Sequence, residues 1–142
     1  MFKKILVPTD ASEYSRRALT TALEIARKCQ SEIVLLHVAY TPQAYWGYNV
    51  AYGISITQEE LERNGELALE ATLAGIDTEG VKVSKVLESG HPVTAVLETL
   101  EKETIDLVIM GSHGYGPIAG SVLGSISQRV LQRAKCPVMI IK

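Results

Sequence analysis

Apolar runs of strand length alternate with segments of helical periodicity along the whole chain, and this alternation constrains the fold more than any other feature. The runs at 4–7, 32–38 and 105–110 are almost continuously apolar, as in strands that are covered on both faces. The run at 81–87 alternates apolar and polar residues, which is typical of an edge strand. The fifth run, Val138 to Ile141, lies next to the last residue of the sequence.

Each of the four segments between these runs has helix signals. Ser12 is a suitable N-cap for a helix that reaches about residue 28, and Thr57 begins a T-x-x-E capping box. His91 precedes a proline at the first helical position of the third helix, and the fourth helix spans 125–134. The apolar residues that mark these helices are Ala18, Ala22, Ile25 and Ala26 in the first, Leu61, Leu67, Ala68 and Ala71 in the second, Val93, Val96, Leu97 and Leu100 in the third, and Ile126, Val130 and Leu131, directed inward, in the fourth.

The resulting order, β-α-β-α-β-α-β-α-β, predicts an α/β fold with a five-stranded parallel sheet, doubly wound with helices on both faces. The length of 142 residues suits a single domain over 1–142. In such sheets, ligands bind beyond the carboxyl ends of the strands where the strand order reverses. The first and fourth strands are the candidates, and they are followed by Pro8-Thr9-Asp10 and by Gly111-Ser112-His113-Gly114.

Composition excludes several classes of protein. The formal net charge is −2, with 14 basic and 16 acidic residues, so no nucleic-acid or membrane partner is expected. The longest strongly apolar run, at 33–36, is far shorter than the roughly 20 residues that span a bilayer. Cys29 and Cys136 lie far apart and have no metal-binding spacing, which favours a protein of the reducing cytoplasm.

The segment 40–56 is longer than an ordinary connection between a strand and a helix. It contains five of the eight aromatic residues of the chain. This concentration is compatible with a lid, with a surface that faces a partner, or with a loop that packs on itself.

The glycine-rich stretch 111–125 follows a buried strand and opens a helix, so its backbone amides can form an anion pocket suited to phosphates. It is not a P-loop, because Pro117 stands where that motif requires lysine. It is not a dinucleotide fingerprint either, because Ala119 replaces the third glycine of G-x-G-x-x-G.

The same stretch resembles the G-x2-G-x9-G-[ST] signature of ATP-binding universal stress proteins, with Gly111, Gly114, Gly124 and Ser125 in the four signature positions. The resemblance covers the whole chain, since 4–12, 36–38, 106–114 and 136–141 are similar to the family's strands and turns. It implies a Rossmann-like fold of the adenine-nucleotide α-hydrolase-like group, with strand order 3-2-1-4-5.

The resemblance also implies a role for each matching residue. Pro8, Thr9 and Asp10 would border adenine and ribose, with Asp10 accepting a hydrogen bond from a ribose hydroxyl, and the Val38 backbone would meet the adenine edge. Met110 and Gly111 would lie beside the ribose. Gly114 and the backbone of Tyr115, Gly116 and Pro117 would follow the phosphates, and Gly124, Ser125, Ile126 and Ser127 would close the phosphate pocket. Two positions depart from the commonest family pattern. Ala11 stands where glycine is frequent, and His91 stands where an acid often caps the third helix.

Charge adds a constraint on the ligand. No lysine or arginine lies between Gly111 and Ser127, so a bound triphosphate requires Mg²⁺ or Mn²⁺ as a counter-charge. No arginine finger or general base is evident in this stretch, so fast hydrolysis is not expected and no catalytic residue is assigned. His113 is either a phosphate contact or an exposed loop histidine.

Three functions remain open at this point. The first is a cytoplasmic ATP-binding regulatory module of the stress response, with AMP or another adenine nucleotide as alternative ligands. The second is an interaction module whose nucleotide site is vestigial, and the third is a slow ATPase. The family resemblance also implies a homodimer through the last strand, Val138 to Ile141, together with an unidentified protein partner.

Overall fold

The computed structural model describes residues 1–39, 57–114 and 123–142. The predicted loop 40–56 and the predicted phosphate contacts Tyr115, Gly116 and Pro117 therefore lie outside the described residues. The strands are β1 (Lys4–Pro8), β2 (Glu32–Ala39), β3 (Val83–Ser89), β4 (Leu107–Gly111) and β5 (Val138–Ile141), and the helices are α1 (Glu13–Cys29), α2 (Gln58–Leu73), α3 (Pro92–Lys102) and α4 (Ser125–Arg133).

The described strands form one parallel sheet in the order β3-β2-β1-β4-β5, which confirms the predicted topology. β1 is central and pairs with β2 on one side and β4 on the other, so that Ile5 lies beside both Ile33 and Leu107. The chain crosses from one half of the sheet to the other between β3 and β4. The carboxyl ends of β1 and β4 consequently lie at the point where the strand order reverses.

Each face of the sheet is covered by a pair of helices. α1 and α2 pack on one face, where Leu19, Leu23 and Leu69 meet apolar side chains of the central strands. α3 and α4 pack on the other face, where Val96 and Val130 are fully buried or nearly so. Successive side chains of β1 point to opposite faces of the sheet, and helices cover both faces, so almost every residue of this strand is apolar.

The predicted helix starts are confirmed by their hydrogen bonds. Ser12 accepts from the Ser15 amide, and His91 Nδ1 accepts from the Val93 amide at 3.2 Å. Thr57 and Glu60 form a complete capping box. These caps satisfy amides that would otherwise have no partner in the helix.

Two strands begin later than the sequence pattern predicts. The third starts at Val83 rather than at residue 81, because the Val81 amide donates to the Thr78 carbonyl in a turn. The fourth starts at Leu107 rather than at residue 105, because the Ile105 amide donates to the Leu100 carbonyl at the exit of α3.

The predicted inward face of the fourth helix is wrong at one residue. Leu131 is 44% exposed, whereas Val130 is fully buried and Ile126 packs against the core beside it. On α2, Leu67 is also exposed, and the buried residues are Gly65, Leu69 and Thr72. No helix in the described part of the chain combines the length and apolar character that crossing a bilayer requires.

Candidate functional site

A cavity of about 540 Å³ lies beyond the carboxyl ends of β1 and β4. It contains nine of the residues that the sequence predicts for the site, which are Pro8, Thr9, Asp10, Val38, Met110, Gly111, Gly114, Ile126 and Ser127. Gly124 and Ser125 do not line it. His113, which the sequence leaves open as a phosphate contact, also lines the cavity, and sequence reasoning assigned no ligand role to the remaining lining residues, namely Ser15, Leu36, His37, Pro92 and Val96.

A tight turn from Thr9 to Ser12 places the Asp10 carboxylate at the cavity. The Ala11 amide donates to Thr9 Oγ1 at 2.9 Å, and the Ser12 amide donates to Asp10 Oδ1 at 2.9 Å. Ala11 has a φ of 66°, in the left-handed region that is costly for a residue with a Cβ. Glycine, which has no Cβ, would adopt this conformation without that cost.

Hydroxyl groups from two helices pack beneath the turn. Thr9, Ser15 and Thr72 are all buried, and Thr9 Oγ1 lies 3.0 Å from Ser15 Oγ and 2.7 Å from Thr72 Oγ1. Ser15 Oγ also donates to Asp10 Oδ1 at 3.2 Å. Sequence reasoning missed Ser15 and Thr72, and the signal that was available for Ser15 was a hydroxyl in the first turn of the helix after Asp10.

His37 fixes the backbone of the same turn. Its Nδ1 lies 2.8 Å from the Thr9 carbonyl oxygen. Because a carbonyl can only accept, Nδ1 carries the proton in this contact. The hydrogen bond to Thr9 satisfies this ring nitrogen within the protein.

At two glycines, one in β4 and one in the loop that follows it, a neighbouring group occupies the space that a side chain would need. A Cβ on Gly111 would lie 2.7 Å from Tyr14 Cβ, so this glycine lets the first turn of α1 approach the strand. A Cβ on Gly114 would overlap Oδ2 of Asp10. The glycine at 114 therefore leaves space for the carboxylate from the neighbouring strand.

The start of α4 is held against the end of β4. Ser127 Oγ donates to the Gly111 carbonyl at 2.7 Å, and the Gly124 amide donates to the Ser112 carbonyl at 2.6 Å. The proton of the Ser127 hydroxyl is thus used within the protein. The Gly124 N-cap supplies no side-chain acceptor, unlike the caps of the other three described helices.

His113 is half-buried and lines the cavity. Its Nδ1 lies 3.0 Å from Ser112 Oγ, and its ring packs against Tyr14 with a centroid distance of 5.5 Å. The Arg17 guanidinium lies over the Tyr14 ring, 5.7 Å from its centroid. His113 is therefore held by Tyr14 of α1 and by the neighbouring Ser112, and its ring borders the site.

The charge around the cavity is low. Among the described lining residues, Asp10 is the one carboxylate, and none is a lysine or an arginine. Within the same described ranges, no three histidine, cysteine, aspartate or glutamate side chains converge as a metal site. An anionic ligand would face mainly backbone amides, hydroxyls and imidazole groups at this position.

A five-stranded parallel sheet in this order, with a cavity over its switch point, defines a Rossmann-like α/β protein with a candidate ligand site at the sheet's carboxyl edge. Sequence comparison specifies the family. The sequence model of the universal stress protein family matches residues 1–142, and the chain belongs to this family.

Individual relatives agree with this assignment. Universal stress protein MJ0531 of Methanocaldococcus jannaschii is 30% identical over all of this chain and 83% of its own length. The structure of MJ0577 from the same organism has a TM-score of 0.82 at 28% identity, and the match covers 100% of this chain and 96% of that one. An Arabidopsis thaliana universal stress protein with AMP bound has a TM-score of 0.68 at 23% identity over 99% and 91% of the two chains, a likeness of fold.

Proposed function

We propose that this universal stress protein binds an adenine nucleotide, with ATP as the first candidate and AMP as the alternative, and that occupancy regulates its interaction with a protein partner. The observation that carries the proposal is the cavity between Asp10 and the start of α4. Its volume of about 540 Å³ lies inside the roughly 300–1,000 Å³ range of small-molecule sites.

The nucleoside would lie at the β1 and β2 side of the cavity. Asp10 accepts hydrogen bonds from a backbone amide and from Ser15, and an ionised carboxylate has further lone pairs for a ribose hydroxyl. Val38 lines the cavity and offers its backbone to a base, and Met110 lines it beside the ribose. This placement keeps the roles that the sequence predicts for Pro8, Thr9, Asp10, Val38 and Met110.

The phosphates would lie between Gly114 and the first turn of α4. Helix N-termini attract anions through their free amides and the helix dipole, and no side chain of Gly124 competes for these amides. In this proposal, Ile126 and Ser127 border the phosphates through the backbone, because the Ser127 hydroxyl donates to Gly111.

A divalent cation is part of the proposal. The described lining has one carboxylate and no lysine or arginine, so the protein by itself would neutralise few of the phosphate charges. Mg²⁺ or Mn²⁺ would be held mainly by phosphate oxygens, with Asp10 as the available carboxylate. The cation would neutralise part of the charge of the phosphates.

A homodimer through β5 completes the proposal. β5 lies at one edge of the sheet, and Met139 on this strand is 37% exposed. An edge strand with apolar side chains can pair with a second copy in a two-fold arrangement. The reducing cytoplasm, which suits the two free cysteines, is the proposed compartment.

Calorimetric titration of the purified protein with MgATP, and in parallel with AMP, tests the proposal. Protein freshly denatured by heat is analysed for released adenine nucleotides, so that a co-purified ligand is not missed. Saturable binding at about one nucleotide per chain supports the proposal. No heat of binding and no extracted nucleotide contradict it and favour the interaction module, and repeated ADP release during incubation with ATP favours the slow ATPase.

A further inference from the structure

Thr72 lies in the last turn of α2 and does not line the cavity. Its side chain is fully buried at 0% exposure. Thr72 Oγ1 lies 2.7 Å from Thr9 Oγ1 and donates to the Ala68 carbonyl at 2.7 Å. A hydroxyl of α2 is therefore in direct contact with a residue of the proposed nucleotide site.

Thr9 Oγ1 is the centre of this cluster. It lies within hydrogen-bond distance of Ser15 Oγ and of Thr72 Oγ1, and it accepts from the Ala11 amide at 2.9 Å. The three partners come from α1, from α2 and from the turn that follows β1. Together they determine the rotamer of Thr9, because rotation about χ1 would break all three contacts at once.

The turn depends on this rotamer because its backbone is strained. Ala11 has a φ of 66°, a conformation that persists where surrounding contacts hold it. The contact of the Ala11 amide with Thr9 Oγ1 is one such restraint, and the bond from the Ser12 amide to Asp10 Oδ1 is the next. Release of Thr9 would let the turn relax and would move the Asp10 carboxylate.

We infer that Thr72 is a positioning residue for the nucleotide site, acting through Thr9 and Ala11 on the Asp10 carboxylate. This inference rests on the proposed function, since Asp10 is the proposed acceptor for the ribose. Through this hydroxyl contact, α2 influences the affinity of the site for its ligand.

Thr99 provides a matched control within the same chain. It is a buried helical threonine on the opposite face of the sheet, and its hydroxyl donates to the Ala95 carbonyl at 2.7 Å, as that of Thr72 does to Ala68. Thr99 does not line the cavity. The two threonines thus share burial and the bond to the preceding turn, and they differ in the contact with Thr9.

The experiment is calorimetric titration of MgATP into the parent, into Thr72→Val, Thr72→Ala, Thr72→Ser and Thr99→Val, and into Ala11→Gly with and without Thr72→Val. Displacement of the Asp10 carboxylate would cost its hydrogen bond to the ligand, and loss of one such bond is worth a factor of about 5 in affinity, so a loss of up to this size is expected in the first two variants. Thr72→Ser keeps the hydroxyl and should restore affinity to within about twofold of the parent, and Thr99→Val should leave it unchanged. Circular dichroism identifies which variants fold.

The outcomes separate the two proposals. A parent that does not bind MgATP or AMP overturns the proposed function itself. If the parent binds, full affinity in a folded Thr72→Val or Thr72→Ala variant overturns the inference, and so does an equal loss in Thr99→Val or a failure of Thr72→Ser to restore binding. The affinity of Thr72→Val in the Ala11→Gly background is compared with that of Ala11→Gly alone. Equal affinities support the route through the strained turn, and a loss as large as in the Ala11 protein overturns that route.

Discussion

Gly114 has a physical reason for its place in the signature that does not depend on a ligand. Its missing side chain leaves space for Oδ2 of Asp10, which approaches from the end of the neighbouring strand. The sequence spacing predicts close approach of phosphate to the backbone at this position. The contact with Asp10 depends on the tertiary structure, because residues 10 and 114 meet only when β1 and β4 pair.

Replacement of Gly114 by alanine should weaken nucleotide binding by about tenfold or more, because the added Cβ displaces the Asp10 carboxylate. Calorimetric titration with MgATP measures the effect. Gly75→Ala is the control, since Gly75 has a positive φ of 73° but a Cβ there would meet nothing within 4 Å. Parent-like affinity of Gly114→Ala, or an equal loss in Gly75→Ala, would show that the contact with Asp10 does not govern binding.

Cys136 illustrates how burial changes the chemistry of a residue outside the site. Burial raises the pKa of its thiol above the ordinary value, and the negative charge of Asp106 acts in the same direction. The native thiol therefore keeps its proton over a pH range in which the unfolded chain has lost it. This contribution to stability is present below the unfolded pKa and is lost as the pH rises through the native pKa.

Alkylation by iodoacetamide measures this shift, because the thiolate is the reactive form. In a Cys29→Ala variant, the Cys136 thiol should react several-fold more slowly in the native protein than in urea at mildly alkaline pH. The difference should shrink as the pH is raised further. Equal native and denatured rates across that range would be inconsistent with a raised pKa.

At the scale of elements, helix starts were the most predictable features and buried faces the least. Ser12, Thr57 and His91 cap their helices as predicted, because capping depends on residues within one turn. The burial of a helix face depends on what lies beneath it. Leu67 is 56% exposed on α2, while the polar Thr72 is buried beside Thr9, an arrangement that hydrophobic periodicity alone does not predict.

The edge formed by β5 carries the proposed dimer contact. Met139→Lys should convert a dimer into a monomer, because a two-fold interface would bring two copies of the new charge together. Sedimentation velocity at several protein concentrations measures the change. Leu67→Lys introduces the same charge at another exposed apolar side chain, on α2, and should leave the sedimentation coefficient unchanged. A dimer that survives Met139→Lys, or a parent that is monomeric throughout, contradicts the proposed interface.

At the scale of the whole molecule, the strand order brings the two halves of the candidate site together. The alternation of apolar runs and helical segments was sufficient to predict the five-stranded doubly wound sheet and the edge at which the site lies. The family resemblance then supplied the strand order and the residue roles. Contacts between distant segments, such as Thr9 with Thr72 and Asp10 with Gly114, could not be predicted, because they depend on side-chain packing in the folded protein.

The site's low charge is also a property of the whole fold. The described lining combines residues of β1, β2, β4 and three helices, and it includes one carboxylate and no lysine or arginine. Binding of a polyanion by such a site depends on oriented amides and on a cation brought with the ligand. Nucleotide affinity should consequently fall sharply when the divalent cation is withheld.

A crystal structure determined from crystals grown with excess MgATP tests the central claim most directly. The account predicts the ribose beside Asp10, the base beside Val38, and the phosphates between Gly114 and the first turn of α4. A cavity without nucleotide under these conditions, or a nucleotide bound at another surface, would contradict the account.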